Sequence, residues 1–420
     1  MGHEHEVVIK EEKFEMSAKD KKVALGLLIG GFVLALIGYF TAHAPDHHMV
    51  VKRLWANLIA DSYFFFIISL CATAFIAIKA IANAGWHTSV KRIPEAMGTF
   101  MPFAAVVLIA VLFLGGHDIY HWMHEGVTDP NSPNYDKIIA GKSGYLNIPF
   151  FMGRLIVFAA MWILFARTFR KWSLQEDIDG GLTNFDKTYK AAAAFVFLFA
   201  FTFSSFSWDV MMSIDVHWFS TIFSVYNFAT GWVSAITCIA LFTIYLKSRG
   251  YLNIVNDDVI HDLGKMMFAF SVFWTYLWVA QMLLIWYANI PEEVTYYKDR
   301  VRPGSGWSFH FFLNVACNFV LPFFMLMMRD AKRNKKWLVF VGAIILFGHW
   351  NDVYTMTFVG AMKDHNGVSV APGWGLMEIG FLAMFAGGFI YTVLTSLTKA
   401  NLYPTKHPYI MESALHDVGV

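Results

Sequence analysis

Residues 23–41 read VALGLLIGGFVLALIGYFT and contain no charged side chain. A hydrocarbon core of about 30 Å requires about 20 apolar residues in a helix, so this run predicts a membrane-spanning helix. The 22 residues before this run mix Lys and Glu, unlike the short basic segment that opens a signal peptide. We therefore predict a retained N-terminal tail and a first span, and not a removed signal peptide.

Apolar runs of this kind recur along the whole chain. Of the 420 residues, 57% are hydrophobic and 15% are charged, and the mean hydropathy is +0.49, outside the range of ordinary soluble domains. The predicted fold class is an all-α integral membrane protein with about ten transmembrane helices, whose ends we place to within about four residues. The predicted spans are 23–41, 54–82, 99–122, 146–169, 190–212, 217–246, 262–289, 307–328, 337–359 and 375–397.

The connections between these spans are too short to hold a soluble domain. We predict an N-terminal tail (1–22), a ten-helix membrane domain (23–397) and a C-terminal tail (398–420). Of the 32 Lys and Arg residues, 23 lie on the side of the two tails, 8 on the opposite side, and Arg154 lies within span four. By the positive-inside rule, both termini are therefore predicted to be cytoplasmic. The net charge of +1 indicates no nucleic-acid partner.

Ionisable residues collect in the outer halves of the predicted spans, and the inner halves contain almost none. Such a group costs about 2.5–3.5 kcal/mol at the bilayer centre on insertion scales, so it tends to face the bundle interior and to have a partner. The alternative is that these residues form interhelical hydrogen bonds and ion pairs that only hold the bundle together. The candidate proton-transfer residues are Asp61, His117, Asp118, Asp209, Asp215, His217, His310, His349, Asp352 and Glu378.

Arg154 is the one cation that the sequence places deep within a predicted span. Asp61, Asp118 and Asp209 lie at a similar predicted depth, and an unpaired guanidinium is costly there. We expect one of these three aspartates to form a structural ion pair with Arg154.

Two residues of predicted span nine, His349 and Asp352, are three positions apart and therefore share a helix face near the middle of the bilayer. Histidine titrates near neutral pH, so this pair predicts a proton path that runs outward toward Asp209 or Asp215, joined by ordered water. Asp215 also has a plainer interpretation as an N-terminal cap of span six. A polar stripe at i, i+4 and i+8 of span eight is formed by His310, Asn314 and Asn318.

His117, His121 and His124 recur at i, i+4 and i+7, a spacing that puts three imidazoles on one helix face and suits Zn²⁺. The competing interpretation is an amphipathic helix end, because the chain leaves the membrane there. His310 and His349 lie on different predicted helices and could be paired as ligands of b-type haem, but no predicted helix has two well-separated histidines of the diheme type. The three cysteines are isolated, without a C-x-x-C motif. We expect the chain to bind no metal and no haem of its own.

One longer stretch carries a resemblance to a known family. The sequence SFSWDVMMSIDVHWFSTIFSVYNF, from Ser205 to Phe228, and LFGHWNDVYTMT in span nine resemble the F subunit of bacterial alternative complex III. That complex is a quinol:cytochrome c or quinol:electron-carrier oxidoreductase, and the subunit belongs to the wider NrfD or polysulfide-reductase group. The family pattern D-x-x-M-S-x-D/E-x-H-W-F-S maps onto Asp209, Met212, Ser213, Asp215, His217, Trp218, Phe219 and Ser220.

The resemblance implies two four-helix bundles, spans two to five and six to nine, flanked by spans one and ten, in the bacterial cytoplasmic membrane. It implies assembly in lipid with a homologous ten-helix subunit that holds the quinol site and with iron–sulfur and haem-c subunits. This chain would then be a subunit without a redox centre that supports quinol oxidation and proton translocation, and quinol or quinone binding to it is left open. Two other classes remain, an ion- or proton-coupled secondary transporter and a structural membrane scaffold.

Overall fold

The computed structural model of the protein describes residues 9–42, 47–363, 367–369 and 371–417. Within these ranges the chain is helical, with no β-strand beyond two isolated bridges. Among the described residues, ten helices are long and apolar enough to cross a membrane, which confirms the all-α, ten-span prediction. They are α1 (Ala18–Thr41), α2 (His47–Ile81), α3 (Arg92–Ile119), α4 (Ile148–Asp179), α5 (Thr183–Val210), α6 (Ile222–Ser248), α7 (Asp257–Ala288), α8 (Trp307–Leu326), α9 (Lys335–Ala361) and α10 (Leu376–Leu397).

Several helices extend beyond their predicted ends. α2 begins at His47 instead of residue 54, α3 begins at Arg92 instead of residue 99, and α4 ends at Asp179 instead of residue 169. In each case the added turns carry charged side chains. Hydropathy marks only the part of a helix that suits hydrocarbon, whereas helical hydrogen bonding continues into the polar interface, so these boundary predictions were wrong by more than four residues.

α1 packs chiefly against α10, and glycines let the two backbones approach closely. A Cβ atom added at Gly31 would lie 2.4 Å from the backbone nitrogen of Met384, and one at Gly387 would lie 2.4 Å from that of Leu28. Gly30, in contrast, has no heavy atom within 4 Å of such a Cβ. The contact is thus a small-residue helix pair of the kind that membrane proteins use.

α2 and α6 are the most enclosed spans and contact each other. α2 to α5 are linked in a closed ring of neighbours, and so are α6 to α9. These contacts are compatible with the expected two groups of four with α1 and α10 outside them. The division into two separate bundles stays an interpretation of the contacts.

α8 is interrupted by a π-helical turn at Ala316–Val320. Pro322 follows directly, and proline removes one helical hydrogen bond and crowds the preceding turn, which the wider π turn accommodates. Asn318 lies within this turn and is fully buried, and neither atom of its amide has a hydrogen-bond partner in the described part of the chain.

Both described chain ends meet at one end of the bundle, which we call the terminal face. The Leu402 N–H donates to the Glu12 carbonyl at 2.8 Å, and the Tyr403 hydroxyl donates to the Lys10 carbonyl at 2.7 Å. The opposite end, the distal face, holds the turn 211–221 between α5 and α6. An even number of spans requires a shared side for the two ends, whereas the assignment of that side to the cytoplasm stays a prediction.

Candidate functional site

Asp352 of α9 is a buried carboxylate that accepts hydrogen bonds from neutral side chains. The hydroxyls of Tyr226 and Thr230, both on α6, donate to its two oxygens, the Thr230 bond being 3.0 Å long. The Asn314 amide of α8 lies 3.4 Å from Oδ1. Asp352 is 2% exposed and forms no ion pair within the described ranges. A carboxyl group that is buried inside a bundle without a direct ion pair is a candidate for reversible protonation.

The expected pair of His349 and Asp352 is not joined by a hydrogen bond. Both ring nitrogens of the buried His349 lack a hydrogen-bond partner among the described residues, and Trp274 of α7 packs against the imidazole in a T-shaped contact with 5.4 Å between ring centroids. The Trp274 indole N–H donates to the Thr230 hydroxyl at 3.0 Å, which in turn donates to Asp352. His349 and Asp352 are three positions apart on α9, and Trp274 contacts the imidazole of the first and the hydroxyl that is bound to the second.

A cavity of about 20 Å³ adjoins Asp352. That volume holds about one water molecule. Its wall includes Asn314 and, from the short helix Pro291–Val301 after α7, the side chains of Tyr296 and Arg300. The Arg300 guanidinium lies 3.3 Å from the centre of the Tyr296 ring, and its Nη1 donates to the Tyr296 carbonyl at 2.7 Å. The cavity therefore has a carboxyl group at one wall and a phenol at another.

An open pocket of about 360 Å³, here called the distal pocket, lies on the distal face, and Tyr296 lines this pocket as well as the small cavity. Within it Asp215 pairs with Lys363 at 2.7 Å, and the same ammonium lies 3.5 Å from Asp299. Partial burial acts to lower the pKa of Lys363, but the two carboxylates outweigh it and raise that pKa. Burial raises the pKa of Tyr296 to about 12. Tyr296 thus lies between the small cavity at Asp352 and the distal pocket.

Asp215 does not cap α6, so that interpretation was wrong. Asp215 ends a 3₁₀ turn that begins at Met212, and α6 begins later, at Ile222, behind Thr221, whose side chain makes no cap. His217 lies in the intervening turn, where its Nε2 is 2.6 Å from Asp136 Oδ2. Asp215 and His217 are at the surface as predicted, and each has an ionic partner there.

Arg154 of α4 forms a bidentate ion pair with Asp209 of α5. Its Nε lies 2.9 Å from Oδ2, and its Nη2 lies 3.0 Å from Oδ1. The guanidinium also stacks on the ring of Tyr145, 3.8 Å from its centre. The expected pairing with a buried carboxylate is therefore present, and of the three aspartates named from the sequence Asp209 provides it.

Glu378 of α10 is paired with Arg53, a cation that the sequence placed in a loop. Arg53 lies within α2, and its Nε and Nη2 each lie 2.6 Å from one oxygen of the fully buried Glu378. Asn57, one turn further along α2, donates to the same carboxylate at 3.1 Å. Another turn on, Asp61 accepts a hydrogen bond of 2.7 Å from the Trp350 indole. Arg53, Asn57 and Asp61 are spaced i, i+4 and i+8 along α2, and this spacing could have identified them as one polar face. Arg53 was missed because the predicted span two began one residue after it.

The polar stripe of α8 faces α9, as its spacing predicts. His310 Nδ1 lies 2.7 Å from Asn351 Oδ1, and the Asn351 amide donates to the His310 carbonyl at 3.1 Å. The Asn314 amide reaches Thr355 at 3.2 Å. A Cβ atom added at Gly348 would lie 2.2 Å from Asn318 Oδ1, so the third member of the stripe also faces α9. These contacts support the structural interpretation of His310.

The three-imidazole face of His117, His121 and His124 is not formed. α3 ends at Ile119 and an extended residue precedes His121, so helical spacing does not apply beyond that point. His124 Nε2 contacts the His117 carbonyl at 2.8 Å, and the exposed His117 ring is not part of any cluster of metal-ligand type in the described residues. Asp118 lies 3.3 Å from His48.

Buried ionisable groups also occur outside the predicted spans. Near the terminal face, Arg92 is 1% exposed and pairs with Glu95 at 3.3 Å and with Asp177 at 2.7 Å, and Lys91 lies 3.5 Å from the buried Glu176. These residues lie on the added turns of α3 and α4 or beside them. From the sequence these residues were counted as loop charges. Hydropathy does not detect a charged helix end that is buried by another part of the chain.

A large apolar groove of about 550 Å³ runs between α2, α6, α9 and α10. Its side chains are aromatic and aliphatic over nearly the whole length, and Lys19 and Asp20 lie at its terminal-face end. Trp350 borders the groove further in, but its indole N–H is already donated to Asp61. The groove therefore suits an apolar chain and offers few hydrogen-bond partners for a polar ring.

No family model matches this sequence, and no curated protein matches it. The candidate site is accordingly defined by its own geometry. Tyr226, Thr230, Trp274 and Tyr296 belong to it and were not singled out from the sequence, since hydroxyls and aromatic rings are common in membrane helices and give no periodic signal.

Proposed function

We propose that this chain is a proton-conducting membrane subunit of a respiratory quinol-oxidising complex of the alternative complex III type. The resemblance of Ser205 to Phe228 suggests the type of complex. One structural observation supports the proton path: the buried Asp352 adjoins a water-sized cavity, and Tyr296 in the wall of that cavity also lines the distal pocket. A carboxyl group, a water site and a phenol hydroxyl thus lead from the bundle interior toward the surface.

The proposed path runs from Asp352 through the cavity water to Tyr296 and on to Asp215. A carboxyl group, a water and a phenol can each accept one proton and release another, as a relay requires. Because the pKa of Tyr296 is raised to about 12, this residue relays protons by exchanging hydrogen bonds and does not persist as a phenolate. Asp209, the other exit considered from the sequence, is held by Arg154 and borders neither cavity.

The quinol site and the redox centres belong, in this proposal, to partner subunits. A quinol headgroup needs hydrogen-bond partners at its two oxygens, and the apolar groove offers few. The homologous ten-helix partner would oxidise quinol, and iron–sulfur and haem-c subunits would take the electrons, so this chain would need no redox cofactor. Its expected location is the bacterial cytoplasmic membrane.

A second candidate function is a secondary transporter. The π-helical turn of α8 favours it, because interrupted helices near the membrane midplane often line transport sites. The unpartnered buried side chains of Asn318 and His349 add polar atoms in the same region.

The test uses the intact complex, purified in mild detergent and reconstituted into vesicles, with protons released per electron as the measured quantity. Asp352→Asn keeps a hydrogen-bonding side chain of the same size but cannot take up a proton, so we expect assembly and quinol oxidation to persist while the ratio falls. Asp215→Asn should lower the ratio less, because bulk water can replace a surface carboxylate. Asp258→Asn is the matched control, since Asp258 pairs with Arg333 at the terminal face.

A native proton-to-electron ratio in Asp352→Asn would contradict the path. Co-purifying haem-c and iron–sulfur chains would support the respiratory complex. A colourless chain that purifies alone and couples proton flux to solute uptake in vesicles would favour the transporter instead.

A further inference from the structure

Three side chains of metal-ligand type meet at the rim of the distal pocket. They are His121, Asp136 and His217, and their ligand atoms all lie within 4.8 Å of one another. Each comes from a different segment: His121 follows α3, Asp136 precedes the short helix Lys137–Lys142, and His217 lies in the turn before α6. Sequence spacing therefore gives no sign of the cluster.

Two of the three residues, Asp136 and His217, are held in place by hydrogen bonds. Asp136 Oδ1 accepts hydrogen bonds from the N–H groups of Ile138 at 2.8 Å and Ile139 at 3.1 Å, which leaves Oδ2 to approach His217 Nε2 at 2.6 Å. Lys142, at the end of the same short helix, donates to the Val216 carbonyl at 2.6 Å and so ties that helix to the turn that carries His217. A pre-positioned set loses less conformational entropy when it binds an ion.

The composition and access of the cluster suit a transition-metal ion. Two imidazoles and one carboxylate are the protein ligands of many zinc sites that keep a fourth position for water. The side chains of His217 and Asp136 are 49% and 21% exposed, so an ion can reach them from solution. The distal pocket also contains the carboxylates of Asp118, Asp215 and Asp299 and the ammonium groups of Lys52 and Lys363.

We propose that His121, Asp136 and His217 form a binding site for one divalent transition-metal ion of the Zn²⁺ type on the distal face. A metal ligand must present a deprotonated nitrogen. When the ion binds Nε2 of His217, the proton on that nitrogen therefore moves to Nδ1 or is released to water. The ion then bridges His217 and Asp136 in place of the hydrogen bond. This site differs from the three-imidazole set considered from the sequence, and it departs from the expectation that the chain binds no metal. It does not depend on the proposed function.

The site predicts one zinc ion per chain in the full-length protein. After removal of metal with a chelator, calorimetric titration with Zn²⁺ should give one site, and X-ray absorption should give zinc–nitrogen distances of about 2.0–2.1 Å. His217→Gln, which keeps a hydrogen-bond donor for Asp136, and His121→Ala should each weaken binding by about tenfold or more, or 1.4 kcal/mol.

His124→Ala is the matched control, because the His124 ring lies 5.3 Å from the His121 ring but its Nε2 already contacts the His117 carbonyl. It should bind Zn²⁺ with unchanged affinity. Absence of stoichiometric binding would overturn the proposal, and so would an equal loss of affinity in His124→Ala and His217→Gln. Thermal unfolding of the metal-free variants checks that each is folded.

Discussion

The Arg154 guanidinium and the Asp209 carboxylate neutralise each other within the bundle. Arg154→Leu leaves the carboxylate buried without its partner, which is expected to lower the free energy of unfolding by about 3–5 kcal/mol. We expect the variant to assemble poorly and to unfold at a lower temperature in detergent. The double variant Arg154→Leu, Asp209→Leu removes both charges and should recover most of the stability. A double variant as unstable as the single one would contradict the importance of the pair.

His87 and His407 predict a pH dependence of stability. Both are buried near the terminal face, and burial together with nearby cations, Lys91 first among them, lowers the pKa of His87 to about 3 and that of His407 to about 2. Above pH of about 6.5 both the folded and the unfolded chain hold these rings neutral. Below it only the unfolded chain takes up the protons, so the free energy of unfolding falls as pH drops toward 3, by up to about 1.4 kcal/mol per pH unit for each ring.

The measurement is the unfolding temperature in detergent between pH 7 and pH 4. His87→Asn preserves the donor that His87 Nδ1 offers to the Ala84 carbonyl, and His407→Asn preserves the acceptor that His407 Nδ1 offers to the Tyr409 N–H. The double variant should show a flatter dependence on pH than the native chain. Equal slopes would show that other groups govern the acid sensitivity.

At the scale of elements, the α1–α10 contact depends on small residues at particular positions. Gly31→Leu places a side chain against the backbone of α10, where a Cβ atom alone meets Met384 N at 2.4 Å, so the helices must separate. We expect a loss of about 1–3 kcal/mol or more of unfolding free energy. Gly30→Leu, one position away with no heavy atom within 4 Å of the added Cβ, is the matched control and should be close to neutral in a thermal unfolding assay. Equal destabilisation by the two substitutions would contradict the packing argument.

Helix ends account for the main errors made from the sequence. The three-histidine face, one of two interpretations that the sequence left open, needed α3 to continue to His124, but the helix ends at Ile119. Arg53 was assigned to a loop because it precedes the apolar part of α2. Both cases have one cause. Helix ends are set by capping and by contacts with other segments, whereas hydropathy identifies only the part of a helix that lies in the hydrocarbon core of the membrane.

At the scale of the whole molecule, the sidedness of the chain can be tested by labelling. Lys10→Cys and Lys406→Cys place thiols at exposed positions of the terminal face, and Lys137→Cys places one beside the distal pocket. In intact cells a membrane-impermeant maleimide should label only Lys137→Cys, and the other two should react only after permeabilisation. The native cysteines are buried and serve as an internal control. The reverse pattern would place both termini outside the cell.

The number of spans and the shared side of the two chain ends follow from the sequence, because about 20 apolar residues cross a bilayer wherever they occur and an even number of crossings returns the chain to its starting side. The polar residues that interrupt the apolar runs of the predicted spans could also be named. Their partners could not: Asp352 is held by Tyr226, 126 positions away, and Glu378 by Arg53, 325 positions away. Helical spacing relates residues of one helix, whereas contacts between helices depend on the rotation and depth of each one, which side-chain packing determines.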